Sequence, residues 1–310
     1  MSDMSLNLTS PWYQQKFQDC QKFWKGVSEG LEIVNLGSNS AFYGFDYSDL
    51  PIKAANWAMR PQSFPQDLAI LKTYYRYLRP RAIILIALGP YSSCFKNYKD
   101  LELEKYYTIL NPEVFENFSK ERCEAVLRIK KSPYKYATKQ MLLLGFKIWI
   151  GRFLKHRVSF ELLNKQPLNA KQLEIDSKRW IEDWKKQFNI KDMDAPQPKH
   201  IVEGRKKRIA VLKEMIAFCK EHEFQPIIVL PPVTEYLSSK FSGVFRDNYI
   251  YSFLEEAEAF DIPFFNYLDN QQFEDPSFYF NSFFLNKMGA RLFTKAVFDD
   301  IKRNGWYEKK

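Results

Sequence analysis

The chain predicts an α/β fold: a central parallel sheet covered by helices on both faces, with a helical insertion over about 96–200. Three observations predict it. Short apolar runs each stop at glycine or proline: Leu31–Leu36 before Gly37, Ala82–Leu88 before Gly89-Pro90, and Pro226–Leu230 before Pro231-Pro232. Such runs read as strands buried on both faces. Segments with apolar residues at three- and four-residue spacing alternate with them and read as helices, which makes the sheet parallel. The stretch from about 96 to 200 breaks this alternation, carrying helical pieces and no clean strand.

In order, Pro11–Gly30 carries spaced aromatics (Trp12, Phe17, Phe23, Trp24) and predicts a leading helix; Leu31–Leu36 is the first strand, and Pro51–Asn56 holds a second, short one. Pro65–Leu78 is helical because Leu68, Leu71, Tyr75 and Leu78 recur at helical spacing, with Pro80 ending it. Ala82–Leu88 is a buried strand. Helical pieces follow at 111–130, 135–156 and 170–188, among prolines at 112, 133, 167, 196 and 198. The α/β pattern then resumes with a helix over Ile201–His222, the strand Pro226–Leu230, a helix over Asn248–Phe260, a last strand at Pro263–Tyr267 and a final helix Asn286–Arg303, with Asn286 as its N-cap.

A chain of 310 residues can hold one large α/β domain or two, and the continuity of the pattern favours one domain, 1–310, carrying the insertion. Aromatics reach 17% of residues, which fits either an aromatic core or an exposed surface for sugar rings or a partner. Cys20, Cys94, Cys123 and Cys219 form no C-x-x-C pair and read as reduced, mostly buried thiols, without metal-ligand spacing. The first residues lack a signal-peptide core. No apolar run is long enough to span a membrane, the nearest, Met141–Leu154, being broken by Lys147 and Arg152. The expected location is cytoplasmic. The net charge of +9 is scattered apart from Arg205-Lys206-Lys207-Arg208, which reads as a solvated helix face or as attraction to an anionic glycan, lipid headgroup or nucleotide-linked substrate. No aromatic-interleaved nucleic-acid motif accompanies it, so no nucleic-acid partner is expected. There is no Gly-rich phosphate loop, H-E-x-x-H or dinucleotide fingerprint, and no cofactor is expected.

Parallel sheets place their sites beyond the carboxyl ends of the strands. Here that means Gly37–Asp46, Asn56–Ser63, Gly89–Phe95 and Pro231–Tyr236, together with Phe278–Asn286 ahead of the last helix. The first segment reads Val34-Asn35-Leu36-Gly37-Ser38-Asn39-Ser40-Ala41-Phe42-Tyr43-Gly44-Phe45-Asp46. The second carries Ala55-Asn56-Trp57-Ala58 and Pro61-Gln62-Ser63, the third Gly89-Pro90-Tyr91-Ser92, the fourth Pro231-Pro232. The last reads Asn281-Ser282-Phe283-Phe284-Leu285-Asn286-Lys287-Met288-Gly289-Ala290. The ordered set resembles the SGNH (GDSL-type) hydrolase superfamily. It is most similar to SGNH-like proteins of bacterial surface-polysaccharide clusters, and more distantly to D-alanyl transfer proteins of teichoic-acid operons. The resemblance covers about 31–95 and 225–302 and implies a three-layer, flavodoxin-like sandwich and a bacterial source.

In that family a serine two residues after the first-strand glycine is activated by an Asp and a His from the last segment, a hydroxyl–base–carboxylate relay. The resemblance maps these roles onto Asn39, Asn281 and Phe284, none of which can perform them. Ser38 and Ser40 flank the serine position and are the nucleophile candidates; Ser282 lies in the last segment. The histidines, His156, His200 and His222, read as surface or packing residues, and Asp46 and Asp275 as turn or cap residues. Asn56, Gln62, Ser63, Tyr91 and Ser92 are the ligand-binding candidates, where the family places oxyanion donors. The implied function is a catalytically degenerate protein that binds an acylated bacterial surface polysaccharide or its precursor, with a glycan or acyl-glycan ligand and an acyltransferase as possible partner. The alternative is an active carbohydrate esterase or O-acyltransferase using Ser38 or Ser40. A third reading makes the insertion a partner-binding surface through Tyr134, Tyr136, Lys147, Trp149 and Arg152.

Overall fold

A computed structural model describes residues 17–94, 104–115, 118–131 and 168–307. It is an α/β three-layer sandwich of flavodoxin-like type around one all-parallel, five-stranded sheet. The strands are β1 (Leu31–Leu36), β2 (Ala54–Asn56), β3 (Leu78–Ala87), β4 (Gln225–Leu230) and β5 (Phe264–Asn266), in the order β2-β1-β3-β4-β5. The main helices are α1 (Asn39–Gly44), α2 (Phe64–Tyr74), α3 (Lys120–Lys131), α4 (Ala170–Phe188), α5 (Lys199–Glu221) and α6 (Lys287–Arg303). Among the described residues no helix is long and apolar enough to cross a membrane.

The two cores follow from the pleat. Alternate residues of β3 point to opposite faces. Ile83, Leu85 and Ala87 join the core formed with α1 and α6, where Phe293, Val297 and Ile301 are buried. Ile84 and Ile86 join the core formed with α2 and α5, through residues such as Leu68, Leu71, Leu212 and Met215. Both faces of the strands are therefore apolar, and the sequence shows unbroken apolar runs where a one-sided sheet would alternate.

β1 begins and ends where the sequence predicts, and α6 is capped as expected: Asn286 Oδ1 accepts from the Gly289 N–H at 3.0 Å. Gly289 is fixed by space. A β-carbon there would lie 2.2 Å from the Phe278 carbonyl oxygen, so the last segment and α6 meet at a distance only glycine allows. α4 starts at a reciprocal capping box between Asn169 and Gln172, which sets its predicted start.

Five expectations need correction. The helical piece expected at 111–130 is a 3₁₀ turn, Pro112–Val114, and a helix, α3, that begins at Lys120. The leading helix is reduced, among the described residues, to short turns over Gln18–Trp24, after which Val27 packs back on the core. The helix expected to reach Leu78 ends at Tyr74, a 3₁₀ turn spans Tyr75–Tyr77, and Leu78 already pairs with Leu31 in β3. Its apolar spacing runs on because Leu78 faces the same core from the strand. Pro80 lies in the irregular start of β3, where the register against β1 shifts and Arg81 takes φ +58°. The helix expected at Asn248–Phe260 is three pieces, Gly243–Arg246, a π turn Asp247–Tyr251 and Ser252–Glu256. Arg205 explains the interruption: its buried guanidinium takes hydrogen bonds away from the helix ladder, donating to the Asn248 carbonyl at 2.9 Å and to Ser252 Oγ at 2.8 Å. The basic run 205–208 is accordingly not one solvated face, since Arg205 is buried while Lys206 and Lys207 are exposed. The predicted helix 135–156, His156 and the surface of Tyr134, Tyr136, Lys147, Trp149 and Arg152 lie outside the described residues.

Candidate functional site at the switch in strand order

The sheet order reverses between β1 and β3: β2 lies on one side of β1, and β4 and β5 follow β3 on the other. A crevice opens beyond the carboxyl ends of such a strand pair. Here a cleft of about 390 Å³ is lined by the loop Gly37–Ser40, by Pro61–Phe64 and Asp67, and by the loop after β3. Its far side is aromatic: Trp180, Trp184 and Phe188 from α4, and Phe283 from the last segment.

The loop after β1 is built around Gly37. It sits at φ +128°, and a β-carbon there would meet Ala41 Cβ at 2.8 Å and the Ala87 carbonyl at 3.0 Å. Only glycine lets the chain leave the strand this steeply. The Gly37 N–H then points to Asp67 Oδ1, 2.7 Å away. Gln62 Nε2 donates to the same oxygen at 2.5 Å, and Ser38 Oγ accepts from the Gln62 N–H at 3.1 Å. Tyr106 holds Gln62 from behind, its hydroxyl 3.3 Å from Gln62 Oε1. The Arg60–Pro61 stretch that carries Gln62 is braced by Lys105, which donates to both carbonyls, and by Asp19, which takes a forked pair of bonds from Arg60. Burial alone would raise the Asp19 pKa, but the Arg60 hydrogen bonds and charge outweigh it and hold the carboxyl below its usual range.

Seven of the predicted residues meet in the cleft. Ser38, Asn39 and Ser40 line it from β1, Gln62 and Ser63 from the second segment, Tyr91 and Ser92 from the third. Asn39 Oδ1 is shut off from solvent with no hydrogen-bond partner. The Ser40 and Ser92 hydroxyls flank Gly89, each 3.9 Å from the place a β-carbon would take. Ser92 Oγ accepts from the Gly89 N–H at 2.7 Å. Tyr91 serves as wall, packed on Trp184, Phe188 and Phe245 with its hydroxyl against Met193 Sδ.

Three predicted residues lie elsewhere. Asn56 is consumed by the fold: Nδ2 donates to the Ala41, Phe42 and Phe45 carbonyls, and Oδ1 accepts from Asn35 and from the Ala58 N–H. Asn281 closes its own turn, with Oδ1 accepting from the Phe283 and Phe284 N–H groups at 2.9 and 2.7 Å. Phe284 is buried in an aromatic cluster, 5.1 Å from the Tyr43 ring, 5.5 Å from Trp180 and 4.5 Å from Phe283. Neither described histidine reaches the cleft. His200 bonds the Phe188 carbonyl, and His222 bonds the Phe218 carbonyl while stacking on that ring. Asp46 and Asp275 bond the local N–H groups of Ser48 and Ser277.

Sequence reasoning missed Asp67 and the aromatic side of the cleft, and it did not place Arg208, singled out in the basic run, at the cleft. Trp180, Trp184 and Phe188 stand four apart, one face of α4, and that spacing was the available signal. The signal for Asp67 was a carboxylate on the apolar face of α2, beside Phe64, Leu68 and Leu71. The last segment is tied to α4 as well: Asp176 Oδ2 accepts from Ser282 N and Oγ, at 3.0 and 2.6 Å. Among the described residues no group of three or more His, Cys, Asp or Glu side chains is placed to hold a metal ion. A wider open groove of about 880 Å³ runs along α6, but its Asp46 and Asp49 are paired with Arg291 and it includes none of the loop residues above. No protein-family model matches the chain, and no curated protein matches it.

What the arrangement can do follows from its parts. A nucleophilic hydroxyl needs a base within hydrogen-bond reach. Neither described histidine reaches the cleft, and Phe284, where the resemblance expected the base, is a packed ring. A polar floor facing an aromatic wall suits instead the two sides of a sugar ring, hydroxyls on one and C–H groups on the other.

Proposed function

We propose that this chain is an SGNH hydrolase-like protein that binds an acylated glycan or glycan precursor in the switch-point cleft and does not hydrolyse it. The observation that carries the reading is Phe284. At the position that the resemblance gives to the catalytic histidine stands a ring enclosed by Tyr43, Phe280, Phe283 and Trp180. A cluster of this kind resists conversion to a proton relay, because an imidazole there would be buried without a partner. The aromatic wall and the serine, asparagine and glutamine floor support binding without chemistry. On this reading the protein presents or protects an acylated sugar for a partner acyltransferase.

The test is one preparation of the full chain given two probes. A fluorophosphonate is expected to leave Ser38 and Ser40 unlabelled. Acetylated xylo-oligosaccharides are expected to quench tryptophan emission, through Trp180 and Trp184, without release of acetate. Acetate release that disappears in Ser38→Ala or Ser40→Ala would replace this reading with an active esterase.

A further inference from the structure

Asp67 is a cleft residue whose chemistry the binding reading leaves unused. It lies at 2% exposure in the floor of the cleft, directly under the glycine that begins the loop. Its Oδ1 is saturated by two donors, the Gly37 N–H at 2.7 Å and Gln62 Nε2 at 2.5 Å. Among the described residues nothing hydrogen-bonds Oδ2. A carboxyl oxygen already accepting twice is a poor place for a proton, so protonation puts the hydrogen on Oδ2.

We infer that Asp67 determines what the cleft accepts: as a neutral acid, its Oδ2–H donates a hydrogen bond to the carbonyl oxygen of the ligand's acyl group. The inference rests on the cleft being a ligand site, and it names the group that distinguishes an acylated sugar from a bare one. A bare hydroxyl at that place gains little, because other polar groups of the floor can serve it. An acyl carbonyl is acceptor-only and needs the donor. Once ionised, Asp67 turns an acceptor towards that carbonyl and repels it.

The surroundings keep the neutral form well populated up to neutral pH. Burial is the largest influence and raises the pKa; the Gln62 and Gly37 hydrogen bonds and the charge of Arg208 pull it back, leaving it at about 7. The groups facing Asp67 come from four elements. Gln62 belongs to the loop before α2, and Tyr106 acts through it. Arg208 belongs to α5 and keeps its charge. Cys94 and Tyr91 follow β3; burial pushes the Cys94 thiol up to about 12 and raises the Tyr91 hydroxyl too, so neither ionises in the working range. Among the described cleft residues Asp67 is therefore the group that titrates there.

The experiment begins without ligand. In protein labelled with ¹³C-aspartate, the Asp67 carboxyl resonance is identified by its loss in Asp67→Asn, and it is expected to titrate with a midpoint near 7. A midpoint at the ordinary carboxylate value, roughly 4, overturns the inference. Acetylated xylo-oligosaccharide is then added, with its de-acetylated counterpart in parallel. The acetylated probe is expected to move the midpoint upward and to bind roughly 30-fold more weakly at about pH 8.5 than at about pH 6, since only the protonated fraction is competent. Asp67→Asn, whose amide donates at every pH, flattens that profile; its melting temperature reports folding separately. Binding of the acetylated probe with no pH dependence and no shift of the Asp67 midpoint overturns the inference and leaves the cleft reading standing. Absence of binding by both oligosaccharides at both pH values overturns the cleft reading itself.

Discussion

The loop after β1 and the segment before α6 meet through Tyr43 and Phe284, yet the two are finished in opposite ways. The loop and the α2 residue beneath it are polar and partly unsatisfied: Asn39 Oδ1 has no partner, the Ser40 hydroxyl bonds no described residue, and no described residue hydrogen-bonds Asp67 Oδ2. The last segment is closed. Asn281 is spent on its own turn, Ser282 is fully buried and held by Asp176 and Thr234, and Phe284 is packed on four rings. The difference teaches that packing closes one side of the cleft while the facing side keeps polar groups uncommitted. This fits the proposed reading of a cleft that binds and does not turn over.

The largest break in this contrast comes from Phe284→Ala. Removing a ring buried to 6% exposure leaves a cavity among Tyr43, Trp180 and Phe283, and the loss is expected to be about 4 kcal/mol, read by denaturant unfolding. A loss under about 1 kcal/mol would mean the segment is not closed by packing. Asp176→Ala comes next, at about 2 kcal/mol, because it strands the Ser282 N–H and hydroxyl. Its pH dependence has a definite sign. Burial raises the Asp176 pKa, but the Ser282 and Arg179 bonds outweigh it and hold it below the usual value. The contribution is thus present above roughly pH 4, the unfolded carboxylate value, and lost as the pH falls through the lower folded one. Wild type and Asp176→Ala should converge in acid melts; a constant gap would sink the assignment. The smallest effect sharpens the polar side. Ser40→Ala is expected to change stability by less than about 0.5 kcal/mol, since its hydroxyl holds no described residue, and a larger loss would make that serine structural.

How much of this was legible in the sequence depended on whether local residues decide the local structure. Gly37 ends an apolar run and alone fits its position, so β1 and the loop after it could be read directly. Asn286 and the Asn169–Gln172 pair mark helix starts by their own side chains, so α6 and α4 were legible too. The end of α2 was not, because Leu78 has the right spacing for a helix and the right face for a strand. The π turn at Asp247–Tyr251 depends on Arg205, more than forty residues earlier, and no local pattern announces it. The candidate site divided in the same way. Ser38, Asn39, Ser40, Gln62 and Ser92 could be found from strand ends. The wall of Trp180 and Trp184 lay in what read as an insertion, and Asn56 looked available only because four of its five hydrogen-bonding partners come from other segments of the fold.

The two margins of the sheet have a consequence for how copies of the chain meet one another. β2 and β5, the outermost strands, are three residues each, while the central β3 has ten. An open margin invites a stray strand in proportion to the backbone it leaves unpaired. Here the longest strand is internal, and intermolecular growth from either side would have to begin on three residues. For a chain with 27 phenylalanines and 18 tyrosines, that placement keeps the most adhesive backbone out of circulation.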